Sequence, residues 1–119
     1  MVQTYAQLEN VAESLGWAVD DISDCCTSKL GIECCQYSPA GEDFFFVAQA
    51  DNICDIIHEI VEYARDFDPD EHVRCVMDMR GAPSLRVLIK DAYAIADMIS
   101  ELADAMIGYE EDNDGDQQI

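Results

Sequence analysis

Cys54, His58 and Glu62 stand four residues apart in "DNICDIIHEIVEYARDFDPDE" (residues 51–71), a spacing that lines them along one side of a helix. Thiol, imidazole and carboxylate are the parts of an activated nucleophile: the imidazole takes the thiol proton and the carboxylate orients the ring. The surroundings argue against that use. A cysteine nucleophile works best where positive charge favours the thiolate, and the neighbours here are acids. The chain also lacks a phosphate-cradling glycine loop, an H-E-x-x-H and a G-x-S-x-G, so no assembled catalytic constellation is legible. The expectation is a protein that is not an enzyme, with no catalytic residues.

The same pair raises the question of a metal. One thiol from each of the doublets Cys25-Cys26 and Cys34-Cys35, facing across a hairpin, could join Cys54 and His58 around zinc. Zinc sites prefer pairs separated by two or more residues, however, and adjacent cysteines on a strand point to opposite faces. No cationic start followed by an apolar stretch marks the chain for export, so the cysteines are expected to be reduced and mostly buried. Neither metal nor cofactor is expected. His72, just after "DPDE", is expected to be an exposed first-turn residue.

Acidity is the dominant property. Against 6 Lys+Arg stand 26 Asp+Glu, a net charge of −20. Residues 1–50, 51–100 and 101–119 carry −7, −6 and −7, so the charge is spread over the fold and is not an appended tail. Half the residues are hydrophobic, which excludes a disordered polyanion. Such a field repels nucleic acid and anionic membranes and draws in basic proteins. With no apolar run of 18 residues, the expectation is a soluble, cytoplasmic protein.

The acids are also arranged. At 100° per residue, Asp51, Asp55, Glu59, Glu62 and Asp66 fall within about an 80° arc. Ile53, Ile56, Ile57, Ile60 and Ala64 centre on the other side. The last helix repeats the division, with Asp97, Glu101 and Asp104 opposite Ala92, Ile95, Ile99, Leu102 and Met106. Carboxylates three or four residues apart are about 5–6 Å from one another on a helix. Phosphates along one nucleic-acid strand are about 6–7 Å apart. Like charges at this spacing cost a few tenths of a kcal/mol each, and Arg65 is the only base between residues 51 and 71. The plain alternatives are a solvated helix face and adaptation to high salt, for which Asp outnumbering Glu by 16 to 10 is also suited.

The elements that must hold these rows follow from periodicity. Tyr5, Leu8, Val11, Ala12 and Leu15 predict a helix over residues 3–15, ended by Gly16. "WAVDDI" (17–22), "GIECCQY" (31–37) and "DFFFVAQA" (43–50) have strand character, and their short links favour an antiparallel meander. Phe44, Phe45, Phe46 and Val47 put bulk on both faces of the third strand. One face can pack on helices; the other needs the first helix or a partner chain as cover. Asn52 with Asp55 caps a helix to about Arg65, and Asp68, Pro69 and Glu71 cap another. Residues 72–80 fit helix or strand, with the cap favouring helix. Gly81 and Pro83 interrupt before a long helix from about Ser84 to Ile107. The fold class expected is therefore α+β: an N-terminal helix, a three-stranded antiparallel meander, then two to three helices packed on the sheet. Residues 1–107 form the domain and 108–119 an acidic, flexible tail.

Three segments, "QYSPAGEDFFF" (36–46), "DFDPDEHV" (66–73) and "APSLRVLIKDAYAI" (82–95), resemble small acidic, largely uncharacterised proteins of bacterial mobile genetic elements. Such elements also carry anti-restriction and anti-CRISPR proteins, many of them acidic DNA mimics. The resemblance implies an inhibitor whose partner is a basic nucleic-acid-binding protein, such as a restriction enzyme or CRISPR effector. The candidate partner-binding residues are Asp51, Asp55, Glu59, Glu62 and Asp66, then Asp97, Glu101 and Asp104. The rival from another class is a small structural or adaptor protein, dimerising or docking through Phe45 and Val47, with its acidity serving solubility.

Overall fold

The structure, a computed structural model, describes residues 1–25, 27–79 and 81–110. It runs α1 (Tyr5–Ser14), β1 (Ala18–Asp21), a 3₁₀ turn (Ser23–Cys25), β2 (Leu30–Tyr37), β3 (Asp43–Ala50), α2 (Ile53–Asp66), α3 (Pro69–Val76) and α4 (Leu85–Gly108). This is the expected α+β arrangement.

Three helices begin where a short polar side chain replaces a missing backbone acceptor. Thr4 accepts from the Gln7 N–H, Asn52 from that of Asp55, and Asp68 from those of Asp70 and Glu71. Asp55 Oδ2 accepts in turn from the Asn52 side-chain Nδ2 at 3.1 Å, tying the cap to the first turn. α1 ends because Gly16 turns back at φ +93°, and a Cβ there would stand 2.8 Å from Gln36 Oε1.

The sheet has the order β1-β2-β3, antiparallel throughout. Val19 lies opposite Cys34 and Cys34 opposite Phe46, so one face collects Val19, Ile32, Cys34, Phe44, Phe46 and Ala48. Trp17 joins them, meeting Phe46 edge-on at 5.7 Å, while Tyr63 stacks on Phe46 at 4.5 Å. The helices close this face with Leu8 and Ala12 of α1, Ile56, Ile57 and Ile60 of α2, and Ile95, Ile99, Leu102 and Met106 of α4. Each buried isoleucine contributes roughly 1.5–3 kcal/mol. The Val2 N–H donates to the Met106 carbonyl at 2.9 Å, tying the first residues to the end of α4. A second, smaller cluster of Val73, Leu88 and Ala92 joins α3 to the first half of α4.

Residues 69–76 are helix, as the Asp68 cap favoured, and of Val73, Cys75, Met77 and Met79 only Val73 is buried. Several other expectations are corrected. The first helix does not cover the second face of the sheet, since α1 packs into the core on the same side as α2 and α4. The cysteines are not mostly buried: among the described residues only Cys34 is, while Cys25, Cys54 and Cys75 are exposed and Cys35 is intermediate. Cys26 lies outside the described residues, and Cys25 does not meet the second doublet across a hairpin. Cys25 lies in the 3₁₀ turn, and β1 presents Val19 and Ala18 to Cys34 and Cys35. Of the tail expected at 108–119, Gly108 still belongs to α4 and the Tyr109 carbonyl accepts from the Met1 amine at 2.8 Å, while residues 111–119 lie outside the described residues.

Candidate functional site

All eight carboxylates of the two rows are exposed: Asp51, Asp55, Glu59, Glu62 and Asp66 at and along α2, and Asp97, Glu101 and Asp104 on α4. The cause is the strict division of each helix. Burying Ile56, Ile57 and Ile60 turns the opposite face of α2 outward, and α4 does the same with Ile95, Ile99 and Leu102. α2 and α4 pack against one another, so the rows stand on neighbouring helices.

Local partners act at a few positions. Arg65 donates to Glu62 Oε2, Asp55 is held by Asn52, and Asp51 accepts from the Lys29 N–H at 3.3 Å. Among the described residues, Glu59, Asp66, Asp97, Glu101 and Asp104 form no ion pair. Arg65 also alters the reading of Cys54, His58 and Glu62. Glu62 turns to Arg65, and the carboxylate nearest the His58 ring is Asp55, with Oδ1 3.8 Å from Nδ1. The thiol–imidazole–carboxylate relay read from four-residue spacing is therefore not assembled.

The outer face of the sheet carries a second group of acids that sequence reasoning missed. Asp20 lies directly opposite Glu33, a like-charge pair that costs stability, and Asp43 opposite Tyr37. Between them Cys35 faces Ala18 and Phe45. Partial burial and the fields of Glu33, Asp43 and Asp20 push the Cys35 thiol up from its ordinary pKa. Around it Tyr37, Phe45 and Val47 are 70%, 57% and 40% exposed. The alternation of β3 announced Phe45 and Val47, but grouping the acids with them needed the strand register.

A polar clamp was also missed. Asp91, 5% exposed, accepts from Ser38 Oγ at 2.5 Å and from the Ala40 N–H at 2.9 Å, while Ser38 Oγ accepts from the Glu42 N–H at 3.0 Å. Glu42 in turn brackets His72, whose Nε2 lies 3.0 and 2.8 Å from its two oxygens. His72 is thus not the exposed residue expected: only 17% of its side chain is accessible, against Phe44 and Phe67. Tyr93 donates to Asp70 at 3.2 Å, and that carboxylate raises the pKa of the phenol. These contacts join the three segments 36–46, 66–73 and 82–95 to one another. A cleft of about 410 Å³ opens beside the turn, lined by residues including Glu42, Asp43, Val76, Met79 and Leu88. The available signal was Asp91 itself, an acid on the apolar side of α4. The clamp fastens the β2–β3 turn to α3 and α4.

No helix among the described residues is long and apolar enough to cross a membrane. Comparison with known proteins finds no matching family model, no matching curated protein and no matching solved structure.

Proposed function

We propose that the protein is an inhibitor that presents carboxylates in place of phosphates to the basic DNA- or RNA-binding cleft of a host defence nuclease, of the anti-restriction or anti-CRISPR kind. The observation that carries this reading is the exposed row on α2, fixed to a rigid helix, with one neighbouring base. Asp51 precedes the extended N-cap Asn52 and so stands off the helix; at 1.5 Å per residue, Asp55 to Asp66 spans roughly 16 Å, the reach of about three successive phosphates. The row on α4 is also exposed and adds anionic surface on a helix that packs against α2. Arginines and lysines of the target would supply the attraction, so association is fast at low salt and weakens as salt rises. The intracellular setting of such a target makes the protein cytoplasmic.

The test is reversal of Asp55, Glu59 and Glu62 to Lys, read as nuclease inhibition and as target capture at low and high salt. Mimicry requires loss of inhibition with an unchanged far-UV spectrum. Full inhibition by the folded triple variant would sink it.

A second reading has its own observation, the open sheet face around Tyr37, Phe45 and Val47. Apolar groups left at the centre of a sheet face suit an adaptor or homodimer. Phe45→Ser separates the two, since it abolishes docking through the sheet and leaves the helix rows intact.

A further inference from the structure

We propose that Cys54, Asp55 and His58 form a binding site for one divalent transition-metal ion, with zinc the best fit. The site shares Asp55 with the acidic row, but it stands on its own geometry and is tested by metal binding, not by inhibition. One ligand atom from each of the three residues lies within 4.8 Å of the others, and all three side chains are exposed. This differs from the arrangement of three cysteines and His58 considered from the sequence, because neither doublet contributes a thiol.

The geometry follows from the first two turns of α2. Cys54 and His58 are four residues apart and therefore share a side, the spacing at which helical ligand pairs grip zinc. Asp55 precedes His58 by three residues and leans toward it, its Oδ1 being 3.8 Å from Nδ1. Bonds to zinc are about 2.0–2.3 Å for these donors, which puts tetrahedral ligand atoms roughly 3.3–3.8 Å apart. Exposed side chains reach that spacing by small torsional changes on a backbone that is already set.

Two further features fit a metal. Asn52 holds the second carboxylate oxygen, with its Nδ2 3.1 Å from Asp55 Oδ2, and so orients the carboxylate as an outer-shell partner does. The base of the site is rigid, because Ile56 and Ile57 in the same turns are fully buried. A thiolate, an imidazole and a carboxylate are one soft, one intermediate and one hard donor, a mixed set that suits zinc or cobalt and, with its sulfur and nitrogen, is a poor choice for magnesium or calcium. Binding displaces the Cys54 proton to solvent, as the thiolate is the ligand, and leaves a fourth position for water. Neighbouring Asp51, Glu59 and Glu62 raise the local cation concentration without entering the coordination sphere.

The experiment is titration of the full chain with Co²⁺ under a phosphine reductant, followed by displacement with Zn²⁺. A thiolate-to-cobalt charge-transfer band should rise to one equivalent per chain, disappear on adding zinc, and persist in 1 M NaCl. Cys54→Ser should abolish the band. His58→Ala and Asp55→Asn should each weaken binding by about tenfold or more, and Cys75→Ser should leave it unchanged. A band that survives Cys54→Ser, or that saturates at half an equivalent, overturns the proposal. So does binding without the band that vanishes in 1 M NaCl, the behaviour of ions condensed on an acidic surface. All three ligands are exposed, so the variants fold, and far-UV spectra verify it.

Discussion

Replacement of Asp91 by Ala attacks the one buried carboxylate among the described residues. Two hydrogen bonds end on it, from Ser38 Oγ at 2.5 Å and the Ala40 N–H at 2.9 Å, and the acid is 5% exposed. Hydrogen bonds to a charged acceptor are worth about 1.5–3 kcal/mol each, and truncation also strands the two donors. Discounting for the water that can enter beside the turn, the expected loss is about 3–4 kcal/mol, a large part of the roughly 5–15 kcal/mol that holds a domain of this size. Asp91→Asn keeps an acceptor for Ala40 and should lose only about 1–2 kcal/mol. Urea unfolding followed by tryptophan fluorescence measures this directly, because Trp17 lies in the core with Phe44 and Phe46. The midpoint should fall while the slope stays constant. A double-mutant cycle with Ser38→Ala should give a coupling of about 1 kcal/mol or more. If Asp91→Ala costs under about 1 kcal/mol, the turn is held by the chain around it and the clamp argument fails.

Other outcomes are equally open to measurement. Phe46→Ala should cost about 3–5 kcal/mol, since the ring is 4% exposed and packed on Trp17 and Tyr63, whereas Phe45→Ala, 57% exposed, should cost under about 1 kcal/mol in the monomer. A large loss at Phe45 in equilibrium unfolding would mean that the outer sheet face is covered in solution. Burial, with Cys35 and Glu33 adding to it, pushes the Cys34 thiol from its ordinary 9.0 up to about 12. The folded chain therefore holds this proton more tightly than the unfolded one. The stabilisation is complete below pH 9.0 and is lost as pH rises toward about 12. Cys34→Ala should flatten that alkaline decline relative to the parent chain, and an identical pH profile would refute the assignment. For the acidic rows, inhibition by the parent chain should fall steeply between 50 and 500 mM salt, while the Asp55, Glu59 and Glu62 reversal should be inactive across the range; salt-independent inhibition contradicts phosphate mimicry.

The sequence by itself determined the elements and the partition of each helix into an apolar and an acidic side. Those are local properties. Asn52 and Asp68 cap whatever helix follows them, the isoleucines of 53–60 repeat at helical spacing, and the acids between them must then face water. β3 was legible to the residue because its alternation is strict. Tertiary structure decided everything that depends on which strand lies beside which. Only the register sets Asp20 against Glu33 and gathers Asp43 toward the same face, and only the return of α4 brings Asp91 under Ser38, 53 residues away. His72 shows the same division. Its position after a helix cap predicted exposure, which is what a first turn offers in isolation, but the folded chain places Glu42, Phe44 and Phe67 around the ring. Periodicity records how a segment meets the core, whereas contacts between segments depend on chain path, which no local pattern encodes.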